Sequence, residues 1–295
     1  MTSDTAPIQH ATGGDDDVRP RWLDVDDATA FARATDGARA LRLGHHAQEY
    51  RPFRPDALAE LSRLVPAAWV VSNEGDLPLL MPPAVNLNLV AEECLQTMTE
   101  RCISLRLYHV QHLPQLAPLV RDVLDQVEEI VWGRPGAMVS RDASIFCGSP
   151  GSVVPIHCDR HHNVLLQLSG VKEVGVGWFD DPSRQAAEIE RNFGRHLNLE
   201  VAPDRSEVHT LGPGEGIYLP PYTIHWVRCG PEPSTALSAS FATSTSVQAE
   251  RVHACNARLR RLHLTPVRPG VSPTRDRAKA AAIGLGRRLR HRAAT

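Results

Sequence analysis

Between Gly133 and Phe241 the chain is cut by Gly, Pro and Asp into short β-type runs, and this punctuation constrains the fold more than any other feature. The runs 143–147, 164–168, 171–178, 216–219 and 236–241 are rich in residues that suit a pleated surface. Their length and spacing predict a sandwich or barrel. Ahead of them, helical and extended patterns alternate. Asp26 is placed to cap a short helix through Thr35, and Pro55 opens a second over 56–65. The strongest helix follows, with Leu116, Val120, Val123, Leu124, Val127, Ile130 and Val131 on one side and Arg121, Asp122, Asp125, Glu128 and Glu129 on the other. Past Phe241, the segment 246–264 is helical again. The Gly212-x-Gly214-x-Gly216 pattern precedes a strand and not a helix, so it reads as turn chemistry and not as a nucleotide loop.

A chain of 295 residues fits one enlarged β-domain with helical additions, and one catalytic unit is expected. The predicted organisation is a disordered leader over 1–20, an α/β region over 21–134 packing on the core, the catalytic core over 135–245, a helix over 246–265, and a flexible basic tail over 266–295. The start is acidic (Asp15, Asp16, Asp17) and lacks a secretory pattern, and no apolar run is long enough to span a membrane. A cytoplasmic location is the expectation. The six cysteines contain no CxxC pair, which argues against a zinc ribbon and against a disulfide framework. A net charge of −2 gives no global attraction to nucleic acid. The tail gathers eight Lys and Arg residues from Arg268 to Arg292 against Asp276 alone, without interleaved aromatics, and reads as a solvated terminus.

Chemistry enters at Pro155-Ile156-His157-Cys158-Asp159. Two residues apart on a strand share a face, so His157 and Asp159 reach one point while Cys158 turns away. A third candidate ligand, His225, follows a turn, a short strand and the corner Pro220-Pro221-Tyr222, and resembles the distal half of a cupin site. Two imidazoles and one carboxylate on one side of a metal leave three positions open, as Fe(II) needs to take a bidentate oxoacid together with dioxygen. Structural zinc sites, by contrast, are usually closed by four ligands rich in sulfur. Further along, the run 163–172 reads as a strand, a tight turn at Ser169-Gly170 and a return strand. Lys172, Val174, Val176 and Trp178 share a face of that return strand, so a lysine that follows the valines inward needs an anion. The distal carboxylate of 2-oxoglutarate is a natural partner.

Over roughly residues 135–245 the pattern resembles the Jumonji-C (JmjC) family of iron and 2-oxoglutarate dioxygenases, especially its asparaginyl-hydroxylase-like branch. The matching positions are the iron ligands His157, Asp159 and His225, the co-substrate lysine Lys172, which follows His157 by 15 residues, and Asn163 near the co-substrate. The resemblance implies a mainly β fold: a double-stranded β-helix (jelly-roll, cupin-type) core with an α/β N-terminal extension and a C-terminal helical segment. It also implies hydroxylation of an unactivated C–H bond, with demethylation as its N-methyl variant and release of succinate and CO2. The expected substrate is an amino-acid residue in a peptide, protein or peptide-like natural product, or a related small molecule. The C-terminal helical segment is a candidate homodimer contact, as in related hydroxylases.

Two positions depart from the family pattern. Val154 stands where a Thr commonly shares the co-substrate carboxylate with the lysine, and Ser144 or Tyr108 are candidate replacements. Ser240 replaces a late-strand Asn and is the expected second co-substrate contact. Arg160, His161 and His162 are candidates for the substrate mouth or for a plain polar connection. The pairs His45-His46 and His109 with His112 lack a third ligand and are not metal sites. Trp178 and Trp226 read as core or rim aromatics. Two alternatives remain open: a cupin metalloenzyme that does not use 2-oxoglutarate, in which Lys172 faces solvent, and a catalytically silent JmjC-like binding protein.

Overall fold

The computed structural model describes residues 20–25, 28–35, 39–81, 84–133 and 136–293. The cap expected at Asp26 and nearly all of the expected leader lie outside them. Twelve strands form two antiparallel sheets among the described residues. The strands are β1 (Leu23–Asp24), β2 (Leu41–His45), β3 (Val70–Glu74), β4 (Ile103–Leu107), β5 (Met138–Gly148), β6 (Val153–Cys158), β7 (His162–Ser169), β8 (Lys172–Trp178), β9 (Arg205–Leu211), β10 (Glu215–Leu219), β11 (Ile224–Cys229) and β12 (Ser234–Thr243). The helices are α1 (Ala28–Thr35), α2 (Pro55–Ser62), α3 (Ala91–Thr97), α4 (Ala117–Trp132), α5 (Pro182–Arg191), α6 (Ser244–Arg261) and α7 (Pro273–Ala293).

The large sheet runs β1-β2-β10-β7-β12-β5-β4-β3, and the small one runs β6-β11-β8-β9. This is the jelly-roll arrangement. The α/β front section contributes strands to both edges of the large sheet, so it extends the barrel wall as well as packing on it. Alternation explains how the large sheet is covered on both sides. Ile103, Leu105 and Leu107 of β4 and Leu237, Ala239 and Phe241 of β12 share an outer core with Phe31 of α1 and Leu119, Val123, Leu124 and Val127 of α4. Leu165, Val174, Leu211, Ile217 and Leu219 fill the space between the sheets. Strand β7 is buried on both faces, and for that reason its sequence reads as a nearly continuous apolar run.

The turn at Ser169-Gly170 exists, but the return strand does not pair with its predecessor. β8 crosses to the small sheet, between β11 and β9. Gly170 makes that crossing possible, because its φ is +65° and a Cβ there would lie 2.4 Å from the Pro233 carbonyl oxygen.

The basic C-terminal stretch, expected to be a flexible tail, is helical over Pro273–Ala293. Ala280 and Ile283 are buried, Asp276 accepts a hydrogen bond from the Gly270 N–H at 2.8 Å, and Lys279 Nζ donates to the Val267 carbonyl at 2.7 Å. α7 packs along α6, and α6 packs on α5. The buried side chains of α6, among them Val252, His253 and Ala257, are thus covered within the chain.

His162, a candidate for the substrate mouth, belongs instead to the core. It is buried, its Nδ1 lies 2.6 Å from the Tyr218 hydroxyl, and its ring stacks on Phe241 at 4.5 Å. Burial pushes its pKa down to about 4, so the unfolded chain binds this proton more readily than the folded one. The stability His162 contributes is complete above its ordinary pKa and is lost as pH falls through 6.5 towards 4. Thermal melting followed from about pH 7 to about pH 4.5 should show a declining midpoint. In His162→Asn the decline should be shallower, and an unchanged slope would contradict this assignment.

Candidate metal centre

β6 and β11 are antiparallel neighbours, and their register sets His157 directly opposite His225. Opposed residues of such a pair share a face, and the two imidazole centroids are 4.2 Å apart. Asp159 follows the last residue of β6 and shares the face of His157. The Pro220-Pro221-Tyr222 corner ends with Tyr222 in the left-handed region, at φ 63°, and the Tyr222 N–H donates to the Asp159 carbonyl at 2.7 Å. The corner thus ties the start of β11 to the end of β6. One nitrogen from each histidine and one Asp159 oxygen all lie within 4.8 Å of one another.

The donor set fits a divalent metal of the non-haem iron type. His157 Nδ1 lies 2.8 Å from the Pro155 carbonyl oxygen, and His225 Nδ1 lies 2.9 Å from that of Thr223. A carbonyl only accepts, so each Nδ1 carries the proton and each Nε2 presents its lone pair. Burial, reinforced by His157, lowers the His225 pKa to about 4, so its ring is neutral at ordinary pH. Burial alone would raise the Asp159 pKa, but its polar and positive surroundings, among them the Arg106 guanidinium and the Asn163 amide, outweigh it and lower the pKa. Neutral imidazoles and an ionised carboxylate are the protonation states a metal requires. Two nitrogens and one oxygen on one side are the facial arrangement of non-haem iron oxygenases.

These three residues open into a cavity between the sheets that is also lined by Asn163, Lys172 and Val154. Lys172 is 4% exposed, and its Nζ donates to the Phe146 carbonyl at 3.4 Å, beside the thiols of Cys147 and Cys229. Burial lowers its pKa. Asn163 accepts from the Ser238 hydroxyl at 2.7 Å. Ser240 lies opposite Asn163 on β12, 3.4 Å from Ser238 Oγ, and is not among the residues lining the cavity. Neither Ser144 nor Tyr108 lines it either. Sequence reasoning missed Arg106 of β4, which does, with its guanidinium over the Tyr108 ring at 4.2 Å and the Phe146 ring at 4.4 Å. Arg160 is drawn over Phe193, 4.9 Å from its centroid, and His161 is exposed. Trp178, at the open end of β8, is 38% exposed, a rim residue. No helix among the described residues is long and apolar enough to cross a membrane.

Residues 124–250 match the family model described as JmjC domain. A curated relative, "Jumonji C domain-containing protein 5" of Drosophila melanogaster, is 30% identical over 105 residues, which is 32% of this chain and 25% of the relative. The chain thus spans about a quarter of that relative's length. Among solved structures, the Escherichia coli ribosomal oxygenase YcfD with cobalt and succinic acid is similar over 84% of this chain and 62% of its own, at 19% identity and a TM-score of 0.46. The same protein with cobalt and 2-oxoglutarate gives 20% identity and a TM-score of 0.44, over 84% of this chain and 63% of its own. These matches do not single out the asparaginyl-hydroxylase-like branch. Residues 124–250, the stretch that includes His157, Asp159 and His225, thus match the JmjC domain, and the chain is similar over 105 residues to a Jumonji C domain-containing protein.

Proposed function

We propose that the protein is an Fe(II)- and 2-oxoglutarate-dependent oxygenase that hydroxylates an unactivated C–H bond, with release of succinate and CO2. The observation that carries this reading is one cavity holding a facial His157/Asp159/His225 set, with both Nε2 atoms free to bind, and a buried lysine, Lys172. When bound, the iron supplies the site at which the oxoacid and dioxygen react.

The chain's own residues orient and shield. Pro155 and Thr223 fix the imidazoles through their Nδ1 protons, and Asp159 supplies the anionic ligand. Lys172 holds the distal carboxylate, and Asn163, positioned by Ser238, lies beside the oxoacid. The walls of Leu165, Leu219 and Val227 keep water from the reacting centre. The burial of Lys172 favours this reading over a cupin enzyme that uses no 2-oxoglutarate, in which the lysine would face solvent. The proposed substrate is an amino-acid residue in a peptide, protein or peptide-like natural product.

The test is uncoupled turnover. Purified protein given Fe(II), ascorbate, dioxygen and 2-oxoglutarate should form succinate, and chelation of the metal should abolish it. Lys172→Met should raise the 2-oxoglutarate concentration for half-maximal succinate formation roughly 10-fold or more, the worth of one charge-assisted hydrogen bond. Succinate formation equally efficient in Lys172→Met would remove this lysine from the co-substrate site.

A further inference from the structure

β4 reads Ile-Ser-Leu-Arg-Leu, with Ile103, Leu105 and Leu107 buried in the outer core. Arg106 therefore points the other way, into the barrel, where it lines the cavity that holds His157, Asp159, His225 and Lys172. Its guanidinium is held between the rings of Tyr108 and Phe146. Its Nε is shielded from solvent and has no hydrogen-bond partner. Among the described residues no carboxylate lies within ion-pair distance of it, although its charge reaches Asp159 and His225. A guanidinium does not lose its proton in a protein, so this group stays cationic and its donors stay available.

Lys172, by contrast, touches one carbonyl oxygen at 3.4 Å, and the wall position at Val154 offers no hydrogen bond at all. A carboxylate buried with Lys172 alone would leave acceptor sites unfilled, which is costly in a low-dielectric cavity.

We infer that Arg106 is a second anchor for the distal carboxylate of the oxoacid co-substrate, working with Lys172 and replacing the hydroxyl contact that Val154 cannot make. The inference rests on the oxygenase reading above and adds a residue to it. The fork of a guanidinium gives a carboxylate two parallel N–H donors, so Arg106 favours an oxoacid with a second carboxylate over one that lacks it.

The experiment is an anaerobic titration of Fe(II)-loaded wild type, Arg106→Gln and Arg106→Lys with 2-oxoglutarate and, separately, with pyruvate, which has the same chelating end and no distal carboxylate. The readout is the visible charge-transfer band that forms when an oxoacid chelates iron. Arg106→Gln should raise the half-saturating 2-oxoglutarate roughly 10-fold or more while leaving that of pyruvate unchanged. Arg106→Lys should show the same selective loss to a smaller degree, and it carries the test if Arg106→Gln does not fold. Mn(II) affinity, measured in each protein, separates an effect of the Arg106 charge on the metal ligands from its effect on the oxoacid. Unchanged 2-oxoglutarate affinity in the variants would overturn the inference and leave Arg106 for an anionic group of the substrate. Equal weakening of both acids would overturn it too, because Arg106 would then act on the metal. Failure of the wild type to form a band with either acid counts against the oxygenase reading itself, whereas a normal band in the variants counts only against the role of Arg106.

Discussion

Asp159→Ala is expected to weaken Fe(II) binding by roughly 100-fold or more, since even loss of a partner behind a metal ligand costs about 10- to 100-fold. Among the described residues the side chain is the only carboxylate lining the cavity, and its Oδ2 lies 3.7 Å from His225 Nε2. Without it, two neutral imidazoles remain, and neither offsets the charge of the metal. The fold should survive, because the backbone carbonyl that receives the Tyr222 N–H stays in place and the carboxylate itself is 38% exposed. Two melting curves separate these effects. The metal-free variant should melt close to the wild type, while the rise in melting temperature that Fe(II) or Mn(II) gives the wild type should vanish. A metal-dependent rise of wild-type size in the variant would mean that Asp159 is not a ligand.

The second large effect is expected at Glu190, away from the cavity. Its carboxylate has no solvent exposure and accepts from His253 Nδ1 at 2.9 Å, Asn256 Nδ2 at 2.9 Å and Arg260 Nε at 2.7 Å. This one side chain joins α5 to α6. Glu190→Ala leaves Arg260 and His253 without their anion, and breaking a buried pair from one side costs about 3–5 kcal/mol. Denaturant unfolding should show the loss as a lower midpoint with an unchanged slope. The effect should also reach the metal. His253 packs on Tyr222, ring to ring at 4.3 Å, and Tyr222 holds the corner from which His225 emerges. Metal affinity should therefore fall in Glu190→Ala while the ligands remain. A destabilisation below about 1 kcal/mol would show that the cluster is dispensable.

The parts of this protein that were legible in the sequence share one property: the deciding information is local. α4 announces itself by its apolar period, and β7 and β12 by their β-type runs. The spacing of His157 and Asp159 places them on one face whatever the remaining topology. The burial of Lys172 likewise follows from Val174 and Val176, its neighbours on the same face of β8.

What escaped depends on partners far along the chain. The Ser169-Gly170 turn has the composition of a hairpin, and nothing local marks β8 for the other sheet or Gly170 for its close approach to Pro233. Edge strand β9 exposes most of its residues, so no apolar rhythm marks it. Arg106 sits at a polar position of an alternating strand, which locally means a solvent face. Here the sheet curls so that this face becomes the inside of the barrel. Ser144 and Tyr108 were reasonable places to seek the hydrogen bond that Val154 withholds, yet Tyr108 is a support for the Arg106 guanidinium. The basic C-terminal segment hides its helix because small residues make its buried stripe, with Ala280 and Ile283 the chief apolar contacts.

The most direct test of the central claim is the anaerobic titration of Fe(II)-loaded wild-type protein with 2-oxoglutarate, followed by visible absorption. The account predicts a saturable charge-transfer band at one equivalent of iron, absent in Asp159→Ala and displaced to far higher 2-oxoglutarate in Lys172→Met. An iron-loaded wild type that shows no such band at any 2-oxoglutarate concentration would contradict it.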